Sequence, residues 1–214
     1  MNVLILTGRF GMGHLSAAQA LQEQLQQDGH QADIVDLFEY ALPDAAPAMY
    51  RAFNLLVTFG GAFYNLYHVI TANNSGGNRG NKLLKGLNSL LDEHRPDVVV
   101  STHPVCSAAV SRYKEEALSD LPLVTCVTDV TDHSEWLHPG TSCYLVASAE
   151  VRDGLTAKGV APDTVVVSGI PVSGRFRPAH RDDTSCRREL LIMGGGLGLM
   201  PRRDSFYQAL DALP

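Results

Sequence analysis

Residues 2–14, NVLILTGRFGMGH, decide the fold. An aliphatic run that ends at Thr7 is typical of a buried strand, and a glycine-rich turn over 8–13 then leads to His14, where a helical pattern begins and continues to about Asp28. A second β-branched run follows over 32–37. A strand, a glycine turn, a helix and a strand in this order predict the first unit of a parallel sheet.

The same alternation of short apolar runs and longer helical patterns continues along the chain. Further strands are predicted at 97–101, 123–128, 142–146 and 164–167, with helices over 104–118 and 148–158. We therefore expect an α/β fold, namely a Rossmann-like parallel sheet with helices on both faces.

Three departures from this rhythm predict the domain organisation. Residues 1–174 are expected to form the first domain, in which about 46–94 is an inserted helical segment. The polar, arginine-rich stretch 175–188 reads as a linker. Residues 189–214 are expected to begin a second α/β domain, with a strand over 189–193 and one helix after it.

Composition sets the broad class. The 214 residues are 45% hydrophobic and 19% charged, with a net charge of −6, which is typical of a globular protein and argues against a general nucleic-acid binder. Four cysteines without a C-x-x-C pair point to a reducing compartment, so we expect a cytoplasmic protein. The N-terminus begins directly with a strand, and no signal peptide is predicted.

The glycine turn is the first candidate site, because free N–H groups at a helix N-terminus favour an anion. Its spacing, G-x-x-G-x-G-H, differs from the dinucleotide pattern G-x-G-x-x-G, although Asp36 lies where a ribose-binding acid is expected. A nicotinamide site and a turn that merely packs the helix both remain alternatives. A helix N-terminus lowers the pKa of an imidazole, so His14 is a candidate proton acceptor.

More polar residues follow the ends of predicted strands, where open α/β sheets bind ligands. They are His103, Asp129 and His133. His103 also has an ordinary interpretation as a turn residue before proline, and Asp129 as the cap of a following turn. Together with His14 they are suitable zinc or manganese ligands, which leaves a metal-dependent hydrolase open, although no pair has a spacing that places two ligands on one helical face.

The stretch 52–78 carries no charge but holds polar residues and a glycine pair, which makes a membrane-spanning helix costly. Residues 51–95 have five bases and two acids, a net +3, whereas the remainder of the chain is at −9. Aromatic residues flanked by bases suit the headgroup level of an anionic membrane, and the alternative is that the aromatics form core. The predicted membrane contacts are Phe59, Phe63, Tyr64, Arg79, Lys82 and Lys85.

Several ordered blocks of sequence carry a family resemblance. They are GMGH at 11–14 with AAQAL and DIVD after it, RPD through THP at 95–104, VTD at 127–129 with His133 and Trp136, and SGIPV at 168–172. In this order they resemble the monogalactosyldiacylglycerol synthases and the processive diacylglycerol glucosyltransferases, which belong with glycosyltransferase family 28.

The resemblance implies a GT-B glycosyltransferase with two Rossmann-like domains. Such enzymes transfer a hexose, with inversion, from a UDP-sugar to diacylglycerol or another lipid acceptor at an anionic membrane surface. The N-terminal domain receives the lipid, and the C-terminal domain holds most of the nucleotide. The protein is then expected to be peripheral on the inner face of the cell membrane, to use no metal or cofactor besides the donor, and to bind no nucleic acid.

The resemblance also assigns roles to residues. It implies that His14 is the base or the key acceptor-side polar residue and that Asp129 is its partner. The glycine turn and the strand ends add Gly11, Gly13, His103 and His133 as the predicted acceptor or phosphate loop. The glycines that would face the donor diphosphate are Gly194, Gly195, Gly196 and Gly198. Family members are nearly twice as long, so the remaining donor-binding residues are expected to be absent. The alternatives are therefore a fragment of a complete enzyme, a gene broken or split in two, and a non-catalytic lipid-binding module.

Overall fold

The computed structural model describes residues 1–59, 78–176, 190–194, 200–201 and 203–212. The chain divides into two compact units, Met1–Arg177 and Pro178–Pro214. The first unit contains the sheet and the predicted catalytic and acceptor-side residues, whereas the four glycines predicted to face the donor diphosphate belong to the second.

Six parallel strands form one sheet in the described part of the first unit, in the order β2-β1-β3-β4-β5-β6. The strands are β1 (Asn2–Thr7), β2 (Gln31–Asp36), β3 (Val98–Ser101), β4 (Leu123–Cys126), β5 (Cys143–Val146) and β6 (Val165–Val167). The helices among the described residues of this unit are α1 (Met12–Gln27), α2 (Leu37–Ala41), α3 (Ala46–Phe59), α4 (Asn78–His94), α5 (Pro104–Ala117) and α6 (Ala149–Ala157). Short 3-10 turns span Ser134–Trp136 and Pro162–Thr164. The expected parallel sheet is confirmed.

Helices cover both faces of the sheet because successive side chains of a strand point to opposite sides. Val3 and Ile5 of β1 belong to one buried cluster with Ala18 of α1. Leu4 and Leu6 belong to another, which also contains Leu87 of α4 and Val110 of α5. The near-continuous burial of β1 follows from this double cover, as expected for a parallel strand.

The order of the strands places a topological switch between β1 and β3. The chain leaves β1 towards β2 on one side, whereas it leaves β3 towards β4 on the other. Ligands of open α/β sheets bind at the carboxyl ends of the strands at such a point. The loops that follow β1, β3 and β4 meet at this edge, and they carry the predicted site.

The described part of the predicted insertion packs against the sheet. Phe53 of α3 is buried in the same cluster as Leu4, together with Leu83, Leu87 and Leu90 of α4. Phe53 is therefore a core residue, which agrees with the alternative that the aromatic residues of this segment form core rather than contact a membrane. Within the described residues, no helix is both long and apolar enough to cross a membrane.

Helix α2 was not predicted, since residues 32–37 read as one strand. Strand β2 ends one residue earlier, at Asp36, because the Asp36 carboxylate accepts hydrogen bonds from the backbone N–H groups of Phe38 and Glu39 and so caps a new helix. The helix has only five residues, which is too short for a recognisable helical period.

In the second unit, α7 (Asp204–Asp211) matches the predicted helix. The strand predicted over 189–193 is wrong for its described residues, because 190–194 contain no strand. Leu191 and Met193 are exposed there, at 81% and 77%. A parallel strand forms only when a neighbouring strand supplies its hydrogen bonds, and the described residues of this unit include none.

Candidate active site

The site is built by three loops at the carboxyl edge of the sheet. The glycine turn after β1 leads into α1, where Gly11 is the N-cap with a φ of 87°, a backbone conformation that favours glycine. His14 lies in the first turn of α1. Thr102 and His103 follow β3, and Thr128 and Asp129 follow β4.

Hydrogen bonds fix the orientation and the tautomer of His14. Its Nδ1 lies 2.7 Å from the backbone carbonyl oxygen of Thr102 and 2.9 Å from Oγ1 of Thr128. A carbonyl oxygen only accepts, so the Nδ1 carries the hydrogen. In the neutral ring, Nε2 therefore keeps its lone pair and is the atom that can accept a proton.

The electrostatic environment keeps His14 neutral near pH 7. Burial lowers the pKa of His14 below its ordinary value, whereas the Thr102 carbonyl and the negative charge of Asp129 act in the opposite direction. The pKa of His14 is lowered by desolvation. The sequence also predicted a lowered pKa, but for a different reason, namely the position of His14 at a helix N-terminus. A neutral imidazole with a free lone pair suits a general base.

His103 lies beside His14 and is held in the opposite tautomer. The ring centroids are 4.7 Å apart, in an edge-to-face arrangement. Nδ1 of His103 accepts a hydrogen bond from the backbone N–H of Val105 at 3.2 Å and so caps α5. The predicted capping role is thus present, and it leaves the ring hydrogen on Nε2. Burial and the neighbouring His14 hold the pKa of His103 well below its ordinary value.

Asp129 acts on His14 through its charge. Its Oδ2 accepts a hydrogen bond from Nε1 of Trp136 at 2.8 Å, whereas the ring nitrogen contacts of His14 are to Thr102 and Thr128. The buried Trp136 ring lies 6.2 Å from the ring of His14, centroid to centroid. The indole therefore holds the carboxylate near the imidazole.

Sequence reasoning placed Thr128 beside Asp129 at the end of a strand but gave it no role, and it did not assign Trp136 to the site. Both lie in the block that carries Asp129, so the sequence signal was the block itself. Only the structure shows that the Thr128 hydroxyl, rather than a neighbouring polar group, contacts His14.

His133 is exposed and immediately precedes the 3-10 turn that contains Trp136, and it is not part of the ring contact between His14 and His103. Among the described residues, no three His, Cys, Asp or Glu side chains are arranged to hold a metal ion. The metal-dependent hydrolase therefore has no support from the described side chains.

Asp36 belongs to a hydrogen-bond network that anchors the glycine turn. Its carboxylate accepts the hydroxyl of Tyr50 at 2.6 Å and Nε of Arg9 at 3.2 Å, in addition to capping α2. Burial and the hydrogen bond to Asp36 raise the pKa of Tyr50, so the phenol remains a donor. Arg9 also forms an ion pair with Glu39 and lies over the Tyr50 ring. Asp36 is thus engaged by the protein itself, which argues against the ribose-binding alternative.

An aromatic cluster joins this network to the histidines. Phe10, in the glycine turn, packs edge-on against Phe38 and Tyr50 at centroid distances of 4.8 and 4.9 Å, and its ring lies 5.3 Å from that of His103. Gly8 makes room for the cluster, since a Cβ there would come within 2.7 Å of the Phe38 ring. By contrast, a Cβ at Gly13 would meet no atom within 4 Å.

The remaining predicted residues are only partly covered. Gly194 lies in coil, and Gly195, Gly196 and Gly198 lie outside the described residues. Phe63 and Tyr64 also lie outside them, as do the side chains of Phe59 and Arg79. Lys82 and Lys85 are exposed on α4.

Comparison with known proteins identifies the family. Residues 14–172 match the model of the monogalactosyldiacylglycerol (MGDG) synthase family, and the chain belongs to this family. Each ordered block that suggested the resemblance lies within or beside that match.

The chain is also similar to proteins named as diacylglycerol glucosyltransferases. The chain is 28% identical over 211 residues to the processive diacylglycerol beta-glucosyltransferase of Bacillus subtilis, a match that covers 92% of the chain and 55% of the relative. It is 27% identical to the protein of the same name from Bacillus pumilus, with 97% and 57% covered. The chain thus spans little more than half the length of these relatives. Among solved structures, the apo form of the lipopolysaccharide outer core galactosyltransferase WaaB aligns with a TM-score of 0.48 at 11% identity, over 84% of this chain and 49% of that one.

Proposed function

We propose that this chain is the acceptor-side part of a GT-B glycosyltransferase that moves a hexose from a UDP-sugar to the hydroxyl of diacylglycerol or a related lipid. The observation that carries the proposal is the lone pair of His14 Nε2, which is left free by the hydrogen bond from Nδ1 to the Thr102 carbonyl. Membership of the MGDG synthase family and the names of the relatives support the lipid acceptor.

In the proposed reaction, the acceptor oxygen bonds to the anomeric carbon while the bond from that carbon to the diphosphate breaks. The hydroxyl proton moves to Nε2 of His14, and the bonding electrons leave with UDP. Asp129 stabilises the imidazolium through its charge, since it raises the pKa of His14. The part of the enzyme that binds UDP is proposed to include residues beyond α7.

We further propose that the enzyme works at the surface of an anionic membrane, where its lipid acceptor resides. The exposed side chains of Lys82 and Lys85 support this location, since bases near the surface are attracted to anionic headgroups. They lie one turn apart on α4.

Transfer is tested with UDP-[¹⁴C]glucose, UDP-[¹⁴C]galactose and liposomes that contain dioleoylglycerol. Two preparations are compared, this chain alone and this chain fused to the C-terminal part of the Bacillus subtilis relative. Radiolabelled glycolipid from either supports the proposal. Liposome binding without transfer in both supports the non-catalytic lipid-binding module, and the absence of both activities refutes the lipid acceptor.

In an active preparation, His14→Ala is expected to reduce turnover by about 10²–10⁴-fold, which is the usual share of a general base. His30→Ala is the matched control, because His30 lies beyond the opposite end of α1. Equal rates for the two variants would reject His14 as the base.

A further inference from the structure

The two adjacent histidines, His14 and His103, present unlike ring nitrogens. The hydrogen of His14 is on Nδ1, so its Nε2 is an acceptor. Nδ1 of His103 is occupied as the acceptor of the Val105 N–H, so its Nε2 carries a hydrogen and is a donor. One acceptor and one donor therefore stand on adjacent rings at the switch point.

The donor of His103 has no partner among the described residues. Among the described side chains, one fully buried polar atom makes no hydrogen bond, namely Nε2 of His138. Nε2 of His103 is therefore not a fully buried, unpaired atom. His103 as a residue is buried, with 6% of its surface exposed. Since Nε2 makes no hydrogen bond and is not among the fully buried atoms that lack one, it keeps a small accessible area, and a bound group can supply the partner that it lacks.

We propose that Nε2–H of His103 binds the acceptor lipid by donating a hydrogen bond to the oxygen on the carbon next to the one that bears the reacting hydroxyl. This inference rests on the proposed function. Diacylglycerol offers the required pair, a hydroxyl for the acceptor of His14 and an ester oxygen on the adjacent carbon for the donor of His103. A long-chain alcohol offers only the hydroxyl.

Two substitutions separate this role from the capping of α5. In His103→Asn, the side-chain oxygen stands near the position of Nδ1 and still accepts the Val105 N–H, but the donor is lost. In His103→Gln, the amide nitrogen reaches the position of Nε2, but the cap is lost. A purely structural residue would be harmed more by glutamine, because asparagine is a good N-cap.

Binding is measured on the 214-residue chain with dioleoylglycerol and with oleyl alcohol in the same detergent micelles. The emission of Trp136 reports binding, since it is the single tryptophan of the chain and lies 6.2 Å from His14. The wild-type chain is expected to prefer dioleoylglycerol by about 2- to 10-fold, the range of one net hydrogen bond. His103→Asn should abolish this preference, and His103→Gln should retain part of it.

An equal preference in the wild type and in His103→Asn overturns the inference while leaving the proposed function intact. Failure of the wild type to bind either lipid overturns both. If the variants do not fold, ¹⁵N NMR of the wild-type imidazoles decides, because the inference requires the hydrogen of His103 on Nε2 and that of His14 on Nδ1. A hydrogen on Nδ1 of His103 would refute it.

Discussion

Replacing Gly13 with alanine is expected to make the protein more stable and less able to bind its ligand. Gly13 lies in the first turn of α1, and a Cβ built on it meets no atom within 4 Å. Its backbone is helical, so alanine fits without strain. Glycine within a helix costs roughly 0.5–1 kcal/mol relative to alanine, and we expect the substitution to recover up to about that amount.

The added methyl group would occupy open space beside the first turn of α1, which we expect the proposed acceptor or donor group to approach. Lipid binding and transfer are therefore expected to fall by about tenfold or more, as when a tight contact is displaced. For a chain of this length, the stability gain corresponds to a rise in melting temperature of about 1–4 °C.

Thermal unfolding followed by circular dichroism measures the first effect, and the micelle and liposome assays measure the second. Gly8→Ala is the matched comparison, because its methyl group would clash with the Phe38 ring, and it should destabilise by about 1–3 kcal/mol. If Gly13→Ala is more stable and binds and transfers normally, no ligand approaches this turn. The assignment of the glycine loop to the site would then be refuted.

Three further outcomes are expected. Tyr50→Phe removes a buried hydroxyl donor from a carboxylate, so it should lower the free energy of unfolding by about 1–2 kcal/mol in urea, and no change would mean that the network does not hold the turn. The free energy of unfolding should fall as the pH drops below about 6.5, because the folded state keeps His14 and His103 neutral while the unfolded chain binds protons; urea titrations at pH 7.5 and 5.5 should show a smaller loss in His103→Asn. Substituting Lys82 and Lys85 with glutamine should weaken sedimentation with anionic vesicles by about 1 kcal/mol per charge, and equal binding would exclude α4 as a membrane contact.

The fold could be predicted from sequence because the strands are short and mostly apolar and alternate with longer helical patterns. The period of the pattern then determines the class of fold, and the parallel topology brings the strand ends together. That rule was enough to group His14, His103 and Asp129 at one edge. The residue pattern did not predict α2, because a single residue, Asp36, both ends a strand and caps a helix. It wrongly predicted a strand over 189–193, where the apolar run has no neighbouring strand among the described residues.

The chemistry within the edge could not be predicted in the same way. The spacing of residues in sequence carries no information on which atom of Thr102 faces an imidazole, and it was the carbonyl rather than the hydroxyl that fixed the tautomer of His14. Likewise, Asp129 was expected to be the partner of His14. Its hydrogen bond comes from Trp136, and it acts on His14 through its charge alone. Such assignments depend on angles and distances below 3 Å, which no pattern of residue types specifies.

The polar groups behind the histidines are satisfied by the protein, and this is why the two outward nitrogens are informative. The hydroxyl of Thr102 donates to that of Thr7 at 3.0 Å, and the hydroxyl of Ser101 donates to the carbonyl of His103 at 2.9 Å. A buried cluster so fully paired holds its rings rigidly. In the proposed transfer, Nε2 of His14 takes up the proton while the Thr102 carbonyl already engages Nδ1, so the ring gains its charge without reorienting. The geometry thus suits the proposed role of a base that takes up one proton at one atom.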